Sequence, residues 1–351
     1  MRNKDLKIAA IPSYSPPSEW KRFKAIEAHT AGEPFRVITS GFPPLKGSTI
    51  LAKRRYVQQN FDHWRRALMW EPRGHADMYG CLLTEPERSD SDLGVIFLHN
   101  EGYSTMCGHG IIALTKVVLE GGIIVKEGSQ PCLKIDTPAG QVIARARREG
   151  ERVVKVSFQN VPSFVVALDE KVNLPSVGLI HYDLAFGGAF YAFIRAEELG
   201  LKLIPSEFKT IIEWGQRLKK LIASHPSLRH PISNDLSFLY GVIFIGPPQD
   251  PTHHSRNVCV FAEGEVDRSP TGTGVSARAA IHYTRGEIAL HQDFTIESLI
   301  NTCFTGRVIK NLQYGPYQAV IPEVEGDAFI TGQSEFYLDP QDSLSTGFFL
   351  R

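Results

Sequence analysis

The sequence predicts an α+β fold with two similar strand-rich halves, each built around one central helix, and an active site in the cleft between the halves. The first observation is a repeated phrase, X-Gly-X-Gly, which begins at Cys107 and again at Thr271 and each time runs into a helix-like stretch. The second is length, because 351 residues exceed what one ordinary core organises. The third is a pattern of short apolar runs broken by Gly and Pro along the whole chain. Together they predict a duplicated two-domain protein.

The predicted elements follow from where apolar runs meet turn residues. Strands are predicted for the β-branched and aromatic runs bounded by turns, at 35–38, 94–98, 141–144, 153–156 and 241–245. Helices are predicted at 51–67, 107–119, 206–223 and 272–285. Ser104 and Thr105 are candidate caps before the second helix, which ends at Gly121-Gly122, and the fourth helix ends at Gly286. Two of the four helices therefore begin in the repeated phrase.

The domain boundaries follow from breaks in this pattern. Residues 1–21 are Pro-rich and weakly apolar, which predicts a flexible N-terminal extension. The break at Asn160-Val161-Pro162 divides the rest into a first half, 22–160, and a second half, 161–329. Spacing alone leaves open whether the last strands, within 330–351, return to the first half.

Bulk composition indicates a small-molecule enzyme. The 38 basic and 38 acidic residues cancel, which argues against a nucleic-acid or membrane-surface partner that acts through net charge. The five cysteines are odd in number and form no C-x-x-C pair, so we expect reduced thiols, a cytoplasmic location and no zinc ribbon. No apolar run approaches the roughly 18 residues that span a bilayer. The pair His253-His254 has no carboxylate or cysteine at ligand spacing, which favours a solvated loop over a metal site.

The repeated phrase carries the chemical signal. A helix N-terminus presents unpaired backbone N–H groups and a partial positive charge, so two such ends that face one cleft would hold a carboxylate. A helix N-terminus also lowers a thiol pKa, which would make Cys107 a thiolate base. Thr271 cannot titrate in the useful range. Glycine at 108 and 272 would let the main chain approach a ligand closely.

Several ordered motifs resemble one known family. They are Met106-Cys107-Gly108-His109, Asp267-Arg268-Ser269-Pro270-Thr271-Gly272-Thr273-Gly274, His29–Pro34, Glu71–Gly80 and Gly187–Ala192. Over residues 25 to 350 they are similar to the proline racemase family, within the larger diaminopimelate-epimerase-like fold. Racemases and epimerases of that family have cysteine at both X positions. Thr271 departs from that pattern, and the resemblance then implies a dehydratase of trans-3-hydroxy-L-proline.

The resemblance and the chemistry together suggest roles for the site residues. No lysine motif for pyridoxal phosphate and no metal cluster is visible, so no cofactor and no metal are expected, and backbone N–H groups must stabilise the charge that develops on the carboxylate. The backbone N–H groups expected to do this belong to Gly108, His109, Gly272 and Thr273. Asp267 is expected to bind the ring ammonium. His109 would hydrogen-bond the ring nitrogen or the leaving hydroxyl.

Other residues keep two interpretations. His75 either lines the pocket or makes a structural hydrogen bond. Phe261 is either the apolar wall over the ring, as the resemblance implies, or a core residue. Thr271 is either an N-cap or a substrate contact. The remaining cysteines are expected to be buried filler: Cys81, Cys132, Cys259 and Cys303.

The expected reaction is a syn elimination. In trans-3-hydroxy-L-proline the hydroxyl and the α-hydrogen both lie opposite the carboxylate and leave from one face. The hypothesis is that the Cys107 thiolate takes the α-proton and that the new thiol, or His109, protonates the departing hydroxyl. The enamine then tautomerises to Δ1-pyrroline-2-carboxylate. Thr271 offers no proton for inversion on the opposite face.

Three alternatives stay open at the level of sequence. One is a proline racemase or hydroxyproline epimerase that uses one thiol and water. Another is a catalytically inactive binding protein for proline-like ligands. The third is a thiol-based redox sensor, which would need a resolving cysteine near Cys107. The sequence does not fix the oligomeric state, and a homodimer is one open arrangement.

Overall fold

The computed structural model describes residues 14–175 and 177–350. Its helices are α1 (Ile50–Met69), α2 (Gly108–Glu120), α3 (Phe208–Ile222) and α4 (Gly272–Thr284). Its strands are β1 (Lys21–Thr30), β2 (Glu33–Ser40), β3 (Tyr79–Thr84), β4 (Leu93–His99), β5 (Tyr103–Ser104), β6 (Cys132–Thr137), β7 (Gly140–Glu149), β8 (Arg152–Gln159), β9 (Ser163–Leu174), β10 (Gly178–Phe186), β11 (Phe190–Arg195), β12 (Leu239–Gly246), β13 (Ser255–Phe261), β14 (Glu265–Asp267), β15 (Phe294–Glu297), β16 (Cys303–Tyr314), β17 (Tyr317–Gly326) and β18 (Ala328–Leu338).

These elements confirm the predicted secondary structure. Each of the four predicted helices is present, with ends within two residues of the predicted ones, and each of the five predicted strands lies inside an observed strand. Ser104 and Thr105 do not cap α2, because the cap position is Cys107 itself. Of the predicted N-terminal extension, 1–21, residues 1–13 lie outside the described residues.

Strand pairing repeats in the two parts of the chain. In the first, the order is β18–β1–β2–β3–β4–β6–β7–β8, with β2–β3 and β4–β6 parallel. In the second, it is β9–β10–β11–β12–β13–β15–β16–β17, with β11–β12 and β13–β15 parallel. The strand β18 thus pairs with β1 as β9 pairs with β10. We propose on this basis that the first half, 22–160, takes its eighth strand from the C-terminus and that 161–329 forms the second half.

The barrel-like strand layers surround two central helices. The helix α2 is buried along its whole length except for Glu120, and α4 is buried except for its last two residues. The helix α2 packs on β1, β2, β7, β8 and β18, and α4 packs on β9, β10, β16 and β17. A helix that is buried on all sides is held by tertiary packing, so its ends are fixed in position. In the described part of the chain, no helix combines the length and the apolar character that a membrane span requires.

Candidate active site

The N-termini of the two central helices meet. A Cβ atom added to Gly108 would lie 2.6 Å from the Cα of Gly272, and one added to Gly272 would lie 2.8 Å from the Cα of Gly108. No side chain fits at such distances. The two glycines are therefore needed first for contact between the helices, whereas the sequence suggested a close approach to a ligand.

A buried cavity lies at this meeting point, and both parts of the chain line it. Its walls include the predicted residues Cys107, Gly108, His109, Phe261, Asp267, Thr271, Gly272 and Thr273. The structure thus brings together every predicted site residue except His75. The cavity also has walls that the sequence reasoning did not select: Tyr79, Met106, Tyr191, Tyr240 and Cys259.

Cys107 caps helix α2. Its backbone is extended, with φ −143°, and its Sγ accepts a hydrogen bond from the Gly110 N–H at 3.2 Å. Sγ also lies 3.3 Å from Nδ1 of His109. Burial raises the pKa of the Cys107 thiol well above its usual range, the Asp267 carboxylate adds to the rise, and the Gly110 N–H acts in the opposite direction. The expected lowering of this pKa is wrong, because desolvation outweighs the helix terminus.

Thr271 begins helix α4 in a different way. Its φ of +65° lies in the left-handed region, which is rare for a β-branched residue. Thr271 occupies the predicted N-cap position, but its side chain makes no cap hydrogen bond. The residue is 3% exposed, and its hydroxyl makes no hydrogen bond of standard geometry among the described residues, although it acts on the Cys259 thiol, whose pKa it lowers. A strained backbone at a cavity wall is typical of functional sites.

Asp267 and His109 face each other across the cavity. Oδ2 of Asp267 lies 3.8 Å from Nδ1 of His109, and Oδ1 accepts the N–H of Ser269 at 2.8 Å. Burial alone would raise the pKa of the Asp267 carboxyl, but the interactions with His109 and Ser269 outweigh it and hold that pKa below its usual value. The site therefore contains a buried carboxylate that stays ionised.

Three further predicted residues, Thr273, Phe261 and His75, make specific contacts with their neighbours. The Thr273 hydroxyl lies 2.7 Å from that of Tyr191, and Phe261 stacks on Tyr240 with ring centroids 5.3 Å apart. His75 is exposed, and its ring Nδ1 contacts the Ala76 carbonyl at 2.7 Å. The pocket-lining interpretation of His75 is therefore wrong.

Asp77, in the same Glu71–Gly80 motif as His75, supports the site from outside the cavity. Asp77 is buried, and its Oδ2 lies 3.6 Å from Nη1 of Arg268. Glu33 accepts the Arg268 N–H at 2.7 Å and lies 3.3 Å from its Nε. Burial first, and then the Asp267 charge, raise the pKa of Glu33 well above its usual value. These contacts hold the segment that carries Asp267 against the first part of the chain.

Cys259 is buried, as predicted, but it is more than a packing residue. It lines the cavity and pairs in register with Asp267 between β13 and β14. The pKa of its thiol is raised by burial and by the Asp267 carboxylate. The available signal was its position two residues before Phe261 on β13, because a strand places every second side chain on one face.

Among the described residues, one group of side chains has the composition of a cation site. His99, Glu101 and Glu265 bring one ligand atom each within 4.8 Å of one another. They lie outside the cavity, where Nδ1 of His99 is 2.9 Å from Oε1 of Glu265. Of the predicted solvated pair, His254 is exposed, whereas His253 is half-buried and its Nδ1 lies 2.9 Å from Oε1 of Glu297.

Comparisons with known proteins agree with this fold. The family model described as proline racemase matches residues 25–349. The chain is 50% identical over 327 residues to a trans-3-hydroxy-L-proline dehydratase of Colwellia psychrerythraea, which covers 93% of this chain and 92% of that relative. It is 42% identical over 331 residues to a 3-hydroxyproline 2-epimerase of Burkholderia multivorans, covering 94% and 99%. A hydroxyproline epimerase from Agrobacterium vitis, solved with bound trans-4-hydroxy-L-proline, superposes with a TM-score of 0.88 at 30% identity and covers 95% and 96%. The predicted fold is confirmed, and the chain belongs to the proline racemase family.

Proposed function

We propose that this protein dehydrates trans-3-hydroxy-L-proline to Δ1-pyrroline-2-carboxylate without a cofactor. The observation that carries the proposal is the unequal pair at the two helix N-termini, where one cavity has the Cys107 thiol at one end and the Thr271 hydroxyl at the other. A thiol can accept and return a proton, whereas a threonine hydroxyl does not titrate in the working range. Chemistry that needs one base rather than two fits elimination better than inversion.

The substrate carboxylate binds between the two helix starts. The first N–H groups of a helix have no intrahelical acceptor, and Gly108, His109, Gly272 and Thr273, at the two helix starts, are residues of the cavity wall. As the α-proton leaves, negative charge moves onto the carboxylate. Fixed N–H dipoles that already point at it stabilise that charge without reorganisation.

Asp267 binds the ring ammonium, and this contact also activates the base. The Asp267 charge is the second cause of the raised pKa of Cys107. A bound ammonium offsets that charge, so the thiolate becomes easier to form once the substrate is present. Phe261 supplies an apolar wall to the ring.

The elimination proceeds on the face of Cys107. Its thiolate removes the α-hydrogen, and the hydroxyl on the same face departs once a donor protonates it. The new Cys107 thiol and His109, whose ring lies 3.3 Å from Sγ, are the donors that the chemistry first suggests. Thr271 orients the substrate and cannot reprotonate the opposite face.

Epimerisation is the second candidate function, and one observation favours it. Cys259 lines the same cavity as Thr271, so a second thiol is present although not at the helix start. With water or Cys259 as the acid on the opposite face, the carbanion would be inverted rather than dehydrated. Relatives of this chain carry names of both activities.

The test is to incubate the pure protein with trans-3-hydroxy-L-proline, trans-4-hydroxy-L-proline and L-proline while following the imine product and the optical rotation. Imine formed only from the 3-hydroxy substrate, with no inversion of the other two, supports the dehydratase. Inversion without imine supports the epimerase. Binding of the imino acids without either reaction would contradict both.

The remaining attributes follow from this proposal. The partner is a small hydroxyproline-like imino acid, recognised by charge and hydrogen bonds at the cavity. We infer a cytoplasmic enzyme, since all five cysteines are free, as in a reducing compartment. A homodimer remains the assembly to test by light scattering.

A further inference from the structure

Three buried hydroxyl groups form a chain beside the cavity. The Tyr79 hydroxyl donates to Oγ of Ser104. Oγ of Ser104 lies 2.6 Å from the hydroxyl of Tyr240, which is also 3.4 Å from that of Tyr79. All three residues are buried. Because each hydroxyl can both donate and accept, such a chain can reverse the direction of its hydrogen bonds by rotation of the O–H bonds.

One end of the chain lies next to the reacting groups. Tyr79 and Tyr240 both line the cavity, and the Tyr79 ring packs edge-on against that of His109 with centroids 4.9 Å apart. The Tyr79 hydroxyl is also one of the groups that lower the pKa of the Cys107 thiol. Tyr79 is therefore on the side of the cavity from which the base acts.

The other end leads to a second pocket. Tyr240 also lines a polar pocket together with Arg54, Glu101 and Lys219. This pocket is at the surface, since Phe238 in its wall is 41% exposed. Tyr240 thus borders both the buried cavity and a surface pocket whose charged side chains exchange protons with solvent.

We propose that Tyr79 is the acid that protonates the leaving 3-hydroxyl, and that Ser104 and Tyr240 return a proton to Tyr79 from the second pocket. This inference rests on the proposed dehydration. Burial raises the pKa of both tyrosines well above the usual value, so both keep their protons through the working range. Of the other cavity-lining phenols, Tyr191 is engaged with Thr273 at 2.7 Å.

The step balances in atoms and electrons. The Cα–H electron pair forms the Cα=C3 double bond while the proton passes to the Cys107 sulfur. The C3–O pair leaves with oxygen, which takes the Tyr79 proton and departs as water. The tyrosinate regains a proton through Ser104 and Tyr240, and the Cys107 thiol releases the α-proton to solvent before the next turnover.

The test uses a leaving group that needs no acid. Fluoride departs without protonation, so trans-3-fluoro-L-proline still requires the base Cys107 but not the acid. Tyr79→Phe is expected to lower imine formation from trans-3-hydroxy-L-proline about 100-fold and to leave fluoride release within about threefold of the parent. The matched control is Tyr182→Phe, a buried tyrosine on β10 outside the cavity, which should change neither rate.

Each outcome decides the inference. If Tyr79→Phe loses activity equally on both substrates, Tyr79 serves the base step or the fold. If it loses no activity, the acid is another group. Either result overturns the proposal. If the parent protein releases fluoride but makes no imine from the hydroxy substrate, the proposed function itself fails, which is a separate result.

Tyr240→Phe tests the return path and keeps both Tyr79 and its hydrogen bond to Ser104. The first turnover should proceed at the parent rate, and later turnovers should slow because Tyr79 is reprotonated slowly, which gives a burst of imine in rapid-mixing experiments. A first turnover slowed as much as the steady state would contradict a relay through Tyr240.

Discussion

The two central helices begin with the same phrase but are used differently. At α2 the N-cap residue, Cys107, has an extended backbone, and its sulfur caps the Gly110 N–H. At α4 the N-cap residue, Thr271, has a φ of +65°, and its side chain makes no cap hydrogen bond; its buried hydroxyl instead acts on the Cys259 thiol, whose pKa it lowers. Duplicated elements can thus keep their packing while one copy gives up local stability.

The strained backbone at Thr271 has a cost in free energy. A β-branched residue held in the left-handed region costs about 1–3 kcal/mol. The conformation is maintained by its surroundings, because Oγ of Ser269 accepts the Thr271 N–H at 3.1 Å and α4 is packed on several strands. Strain that is kept at a cavity wall indicates that the position of the hydroxyl matters for the ligand.

The largest expected effect comes from placing serine at each helix start. Cys107→Ser is expected to lower dehydration at least about 1000-fold, because a serine hydroxyl is far too weakly acidic to act as the base. Thr271→Ser keeps the hydroxyl and is expected to stay within about tenfold of the parent. Imine formation from trans-3-hydroxy-L-proline measures both.

Cys132→Ser is the control for loss of a thiol, since Cys132 is half-buried on β6 and does not line the cavity. If Cys107→Ser retained more than a few per cent of the parent activity, or if Thr271→Ser were equally inactive, the distinction between the two helix starts would be lost.

The contact between the helices can be broken directly. Gly108→Ala would place a methyl group 2.6 Å from the Cα of Gly272, and neither backbone can yield easily. We expect a loss of unfolding free energy of about 2–3 kcal/mol. Gly332→Ala is the matched control, because nothing lies within 4 Å of its added Cβ. Denaturant unfolding of both variants gives the comparison, and equal stability would contradict the packing described.

The pH dependence tests the charges around Cys107. Its pKa is raised, so the thiolate fraction, and with it kcat/KM, should increase as the pH rises above neutral. Asp267→Asn removes the charge that contributes to that rise, so the ascending limb should move to lower pH while KM increases through loss of the ammonium contact. An unmoved limb would show that Asp267 does not influence the base.

Local patterns predicted most of the site. Helix periods and glycine stops located α2 and α4, and the position of Asp267 before the second phrase placed a carboxylate at the cavity. The direction of the Cys107 pKa was not predictable in this way, because it depends on how much burial opposes the helix terminus. Tyr240 was missed because it comes from a strand far from either phrase.

His75 shows the limit of motif reasoning. It lies in a stretch that resembles the family, yet its side chain is exposed, and its neighbour Asp77 makes the buried contacts. Which residue of a loop turns inward depends on backbone conformation, and Asp77 has a φ of +60° that the sequence does not reveal. The return of β18 to β1 is likewise a long-range pairing without a local signal.

The most direct test of the account is the solvent-deuterium exchange of L-proline by the parent protein and by Thr271→Cys. L-Proline has no hydroxyl to expel, so only exchange or inversion at the α-carbon is open to it. A cysteine at residue 271 adds an acid on the face opposite Cys107, and the variant is expected to gain slow exchange and epimerisation, with a small rate because the cavity is shaped around threonine. Proton NMR of the α-position, measured side by side, should show exchange with inversion in Thr271→Cys and much less in the parent. If the parent inverts L-proline as fast as the variant does, residue 271 does not decide between elimination and racemisation.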